Sequence, residues 1–108
     1  MTATARHHQW KAFLDLFTEI NRGRPTRLGT FENGNDLWLE AGLGFKGLDM
    51  DDRHEFPSIQ IFLEGYQRAV DNVREIVFRL GRGGEDGVDI VDLGGNTTIL
   101  RFETEAEK

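Results

Sequence analysis

Val88-Asp-Ile-Val-Asp-Leu-Gly-Gly-Asn-Thr-Thr-Ile-Leu-Arg-Phe102 holds two runs of β-forming residues on either side of a Gly94-Gly95-Asn96 break. Glycine and asparagine enter positive φ at little cost, so the break reads as the turn of a β-hairpin. Val88 and Ile90 fall on one face of the first run, and Leu100 and Phe102 on one face of the second. Apolar side chains at period two mark a half-buried antiparallel pair. The rest of the chain is expected to add strands to this ribbon and one helix to cover it.

Working back from the hairpin, Val73 to Leu80 alternates, with Ile76, Phe78 and Leu80 on the inward side. Val70, Val73, Val77 and Leu80 also fit a helical period, but β-branched content and the following Gly81-Arg-Gly-Gly84 favour a strand. Gly65-Tyr-Gln-Arg-Ala69 reads as a loop. Pro57 opens the strand Ser58-Ile-Gln-Ile-Phe-Leu-Glu64, with Ile59, Ile61 and Leu63 on one face. Gly42 to Asp52 reads as a glycine-rich, then acidic, connection with a short strand near Phe45-Lys-Gly-Leu48. Asn33-Gly34 between two β-forming runs, from Thr26 to Ala41, is a strong short hairpin signal. Leu37 and Leu39 there face one way, and Trp38 faces the other, toward the helix or a subunit partner.

From His7 to Asn21 the period becomes helical. Trp10, Phe13, Leu14, Phe17 and Ile20, with Leu16 beside them, form one broad apolar stripe, expected to be buried against the sheet. Lys11, Asp15, Thr18 and Glu19 lie opposite. Asn21-Arg-Gly23 followed by Pro25 is a stop signal with Gly23 at C′. Residues 1–6 and 104–108 are expected to be frayed tails. The fold class is α+β: an N-terminal amphipathic helix followed by a strongly curved antiparallel β-meander or small β-barrel of five to seven strands, in a single domain of residues 1–108.

The 108 residues suffice for one core without staples. There is no Cys, which removes disulfides, thiol nucleophiles and cysteine metal sites. The start of the chain lacks the apolar core of a secretory signal, and no window has the ~20 apolar residues of a membrane span. A cytoplasmic protein with no membrane partner is expected. A formal charge of −6 opposes nucleic-acid binding.

Several motifs carry chemistry on paper. Gly42-Leu-Gly44-Phe-Lys-Gly47 spells G-x-G-x-x-G, with Glu64 in the position of an acidic ribose ligand. A pyrophosphate site needs a helix starting at the third glycine, and an acidic stretch closed by Pro57 follows instead, so no nucleotide is expected and the glycines read as turn and bulge residues. Asp49, Asp51, Asp52, His54 and Glu55 offer the carboxylates and imidazole that divalent cations take, in a spacing that matches no known metal loop. His54 and Ser58, the sole serine, have no third group to complete a triad. Arg22, Arg24 and Arg27, echoed by Arg79 and Arg82, could contact an anion, but arginines at a helix end also answer the helix dipole.

Trp10-Lys-Ala-Phe-Leu-Asp-Leu-Phe17, Gly47-Leu-Asp49, Pro57-Ser-Ile-Gln-Ile-Phe-Leu63 and the closing hairpin ending in Thr-Ile-Leu-Arg-Phe102 together resemble a family of short bacterial proteins known as a domain of unknown function. The resemblance covers nearly the whole chain and implies one domain of helix plus small antiparallel sheet or barrel; it implies no catalytic residue. The resulting expectation is a small non-catalytic interaction or accessory module without a cofactor, working through a protein partner or self-association as a homodimer. Trp38, Phe45, Phe62 and Tyr66 are its candidate surface aromatics. The alternative is a metal-dependent or small-ligand-binding protein using the loop 49–55.

Overall fold

A computed structural model describes the backbone of residues 3–79 and 87–102, and the side chains of residues 9–79 and 87–102. The expected turn at Gly81–Gly84, the inward Leu80 and the tail 104–108 lie outside the described residues. Helix α1 spans Ala3–Asn21, so residues 3–6 belong to the helix rather than to a tail. Among the described residues seven strands follow: β1 Pro25–Glu32, β2 Asn35–Asp51, β3 Ser58–Leu63, β4 Tyr66–Val70, β5 Val73–Arg79, β6 Gly87–Asp92 and β7 Thr97–Phe102. Every pairing is antiparallel, in the order β4-β3-β2-β1-β7-β6-β5.

That order makes neighbours of the first strand and the last, and puts the consecutive strands β4 and β5 at opposite edges. Only Asp71 and Asn72 join them. Seven strands lying flat would hold their outer members about 29 Å apart. The step from Val70 to Val73 can span at most about 11 Å. The sheet therefore curls into a half-barrel whose two edges meet at this link. The corner is pinned where Val73 N donates to Pro57 O at 2.8 Å and Leu93 N donates to Asn72 O at 2.9 Å. Among the described residues the edges do not pair along their length, so the barrel stays open, and α1 packs into it.

The curl is written into β2. Its first half pairs with β1 and its second half with β3, with irregular register at Thr26/Arg27, Leu28/Gly29 and Phe45/Gly47. Gly42 sits at one break with φ of 89°. The expected connection over Gly42–Asp52 is thus a correction: Asn35–Asp51 is one bent strand, and the G-x-G-x-x-G run lies inside it with no helix after it. Bulges let a strand bend and twist without ending its ladder. The expected loop at Gly65–Ala69 is likewise a two-residue turn followed by β4. Asn33 and Gly34 both have positive φ, as an Asn-Gly hairpin turn requires.

Trp10, Leu14 and Phe17 point from α1 into the half-barrel, followed one turn on by Asn21. Phe17, Phe45 and Phe102 form the centre of the core, with ring centroids 5.2 to 5.9 Å apart. Gly47 lets α1 come close: a Cβ there would lie 3.1 Å from Thr18 Cγ2. Thr18 Oγ1 accepts from Leu48 N at 3.1 Å, tying the helix to β2. Asn21 Nδ2 donates to Phe17 O at 2.9 Å, and Gly23 N donates to Phe45 O at 2.7 Å beyond the helix end. Among the described residues, no helix is long and apolar enough to cross a membrane.

Candidate functional site

The apolar arc of α1 is wider than one sheet can cover. At 100° per residue, Trp10, Phe13, Leu14, Leu16, Phe17 and Ile20 span about 160° of the helix circumference. The half-barrel takes Trp10, Leu14 and Phe17 and leaves Phe13, Leu16 and Ile20 exposed at 55%, 56% and 66%. The expectation that the whole stripe is buried is therefore corrected. The outward row faces β5, one of the sheet's two edges, across a groove of about 400 Å³ lined by Phe13, Leu16, Phe17, Ile20 and the strand residues Ile76, Val77 and Phe78. Phe78 closes its floor against Phe13 and Phe17, with centroids at 5.5 and 5.7 Å.

The four aromatics singled out from the sequence do not form one surface. Phe45 is a correction: it is 1% exposed and belongs to the core. It sits where β2 bends, and its backbone is locked to Gly23 and Arg24. Trp38 lies on the outer face of the sheet, half-exposed, with its ring over Gly29, where a Cβ would come within 2.7 Å of Trp38 Cε3. An aromatic laid over a glycine shields backbone that would otherwise be bare. Arg27 stacks on the same ring, 5.1 Å from its centroid. Phe62 and Tyr66 are half-buried on the β3–β4 hairpin beside Lys46.

The acidic loop is spread out. Asp49 is exposed and stands opposite Gln60 in the β2–β3 ladder. Asp52, His54 and Glu55 are exposed. Among the described residues, no group of three or more His, Asp or Glu side chains comes together as a metal would require. Asp51 is taken by Arg53, whose Nη2 and Nε donate to it at 2.6 and 2.9 Å. Those hydrogen bonds, with the Arg53 backbone N–H, lower the Asp51 carboxyl from 3.8 to about 2. A carboxyl depressed by folding contributes stability above its unfolded value and loses that contribution as pH falls toward 2. The pair is at the surface and screened, so the effect on stability is small. Carbon-detected NMR of Arg53→Ala is expected to return the Asp51 midpoint toward 3.8.

The arginines expected to form a basic cluster are engaged separately. Arg22 reaches Glu19 at 3.6 Å, and Arg24 donates to Asn21 Oδ1 at 2.8 Å while lying over Phe102. Arg79 Nε donates to Asp89 Oδ2 at 2.8 Å, and Arg101 Nη1 lies 2.7 Å from Asp89 Oδ1. Arg82 lies outside the described residues. This Arg–Asp–Arg bridge across β5, β6 and β7 is buried at Asp89, and no sequence motif announced it; only the strand order brings the three together. No family model, curated protein or solved structure matches the chain.

Proposed function

We propose that this protein is a cytoplasmic, non-catalytic interaction module whose working surface is the outward row of α1 together with the β5 edge. The observation that carries this reading is the exposure of Phe13, Leu16 and Ile20 beside an apolar groove. Three large apolar side chains in one helical row are costly to leave in water, and contiguous exposed apolar patches of this kind mark contact surfaces. Among the described residues the groove is lined by apolar side chains, without the convergent polar groups that orient a small substrate.

The test is a Leu16→Glu, Ile20→Glu double variant. Both positions are exposed, so its unfolding transition is expected to stay within about 0.5 kcal/mol of the parent. Cross-linking and affinity capture, from cell extract and of the protein on itself, should lose the bound species at least about tenfold. Capture that ignores the double variant, or no bound species with the parent protein, would overturn the reading.

A further inference from the structure

We infer that the occupant of this surface is a second copy of the chain, joined through β5 in an antiparallel register centred on Val77. The inference rests on the interaction reading above and adds the partner and the geometry.

The two edges of the sheet differ in how they discourage pairing. β4 is five residues long, and Arg68 stands opposite Ile61, which is fully buried, so a charged side chain projects to the inner face of that edge. Short strands and inward charges are the devices that blunt sheet edges. β5 is seven residues long and carries the apolar run Ile76-Val77-Phe78 in its second half. Its first residue is occupied by the Val73–Pro57 hydrogen bond; beyond it no strand lies on its free side among the described residues. An open edge of this length with an apolar run at Ile76–Phe78 is a template for another strand.

Glu75-Ile76-Val77-Phe78-Arg79 is complementary to itself when run antiparallel. Centred on Val77, Glu75 meets the partner subunit's Arg79, Ile76 meets the partner subunit's Phe78, and Val77 meets its own symmetry mate. Opposite charges and apolar pairs directly across a ladder are the favourable cross-strand combinations. The faces agree as well. Pairing with Val91, Asp89 and Gly87 puts Glu75, Val77 and Arg79 on the outer face, and pairing with Ile90 and Val88 puts Ile76 and Phe78 on the inner one. The charged contacts then fall where water screens them, and the apolar contacts fall over the groove.

A twofold axis normal to the sheet keeps both inner faces on the same side. The exposed rows Phe13, Leu16 and Ile20 of the two helices then flank one junction, and the two half-barrels join into a single continuous sheet. Such a contact is isologous, the commonest form of soluble homo-oligomer.

Because the chain has no cysteine, a single introduced thiol reports the register directly. In this arrangement the two position-77 Cα atoms lie about 4.5–5.5 Å apart, inside the range a disulfide spans. The two position-75 Cα atoms lie about 14 Å apart. Full-length Val77→Cys is expected to oxidise to a covalent dimer, and Glu75→Cys to stay uncross-linked. Sedimentation of the parent chain should show a dimer that dissociates on dilution. Glu75→Arg, checked for an intact thermal transition, should weaken it about tenfold or more, since an arginine at position 75 would then face the partner subunit's Arg79, which Asp89 already holds in place.

A parent chain that is monomeric at all concentrations, a dimer indifferent to Glu75→Arg, or Glu75→Cys cross-linking as readily as Val77→Cys would each overturn the proposal. Should that happen while the Leu16→Glu, Ile20→Glu pair still abolishes capture of another protein, the interaction reading stands and only its partner is wrong. Loss of both would remove the reading itself.

Discussion

Phe45→Ala is expected to destabilise the protein by about 3–5 kcal/mol, the cost of emptying a fully buried phenylalanine site. Phe45 is 1% exposed and meets Phe102 edge-on at 5.2 Å and 81°, and Phe17 edge-on at 5.9 Å and 82°. Aromatic pairs in such geometry contribute about 0.5–1.5 kcal/mol beyond their buried area, and alanine removes both. The cavity would open between α1 and the bend of β2, where the backbone is held by Gly23 and Arg24 and cannot collapse freely. Against a total of about 5–15 kcal/mol for a small domain, this is a large share. Urea unfolding measures it, with Phe62→Ala at a half-buried position as the comparison. A loss for Phe45→Ala below about 1 kcal/mol would mean that the three rings do not hold the core together.

Gly87→Ala is expected to cost about 3 kcal/mol, at the upper end for adding a methyl group to a closely packed site. A Cβ at Gly87 would overlap the carbonyl oxygen of Leu100 on the adjacent strand, which is backbone and cannot rotate away. The same Cβ would lie 3.1 Å from Arg101 Cδ and Nη1. Arg101 folds across Gly87 to reach Asp89 and also donates to Leu100 O at 3.0 Å, so a side chain at 87 displaces the cation from a buried carboxylate. Losing one partner of a buried ion pair is costlier than never having had the pair. Gly65→Ala is the informative contrast. Gly65 has φ of 78° and open space where its Cβ would point, so only left-handed backbone strain of about 1–2 kcal/mol applies. Thermal unfolding that ranks Gly87→Ala no worse than Gly65→Ala would show that β6 and β7 do not approach this closely.

The elements that sequence reading placed well are those whose cause is local. The Gly94-Gly95-Asn96 break and the Asn33-Gly34 turn need backbone conformations that only a few residues accept, and the runs beside them alternate at period two. Pro57 and the alternation after it define β3, and β-branched residues tip the ambiguous run that begins at Val73 to strand β5, Val73–Arg79. β4 escaped because Tyr-Gln-Arg-Ala-Val carries polar residues on both faces, as an edge strand tolerates. The Gly42–Gly47 stretch read as a connection because bending a strand and ending it call on the same glycines.

The candidate site was legible only as raw material. Six apolar residues on α1 were visible in the sequence, but not that half of them would stay uncovered. Phe45 and Phe62 look alike in strand runs, yet one fills the core and the other lies half-buried on the β3–β4 hairpin. Asp89, Arg79 and Arg101 meet only because β6 lies between β5 and β7 in a register that sets them side by side. By itself the sequence determined a helix, its stop, two hairpin turns and the inward positions of β3, β6 and β7, each set by contacts within a few residues. How much of α1 was covered and which edge was left open was decided by tertiary structure alone: a two-residue link draws the outer strands together, the sheet curls to satisfy it, and the width of the resulting trough covers part of one helix and not the rest.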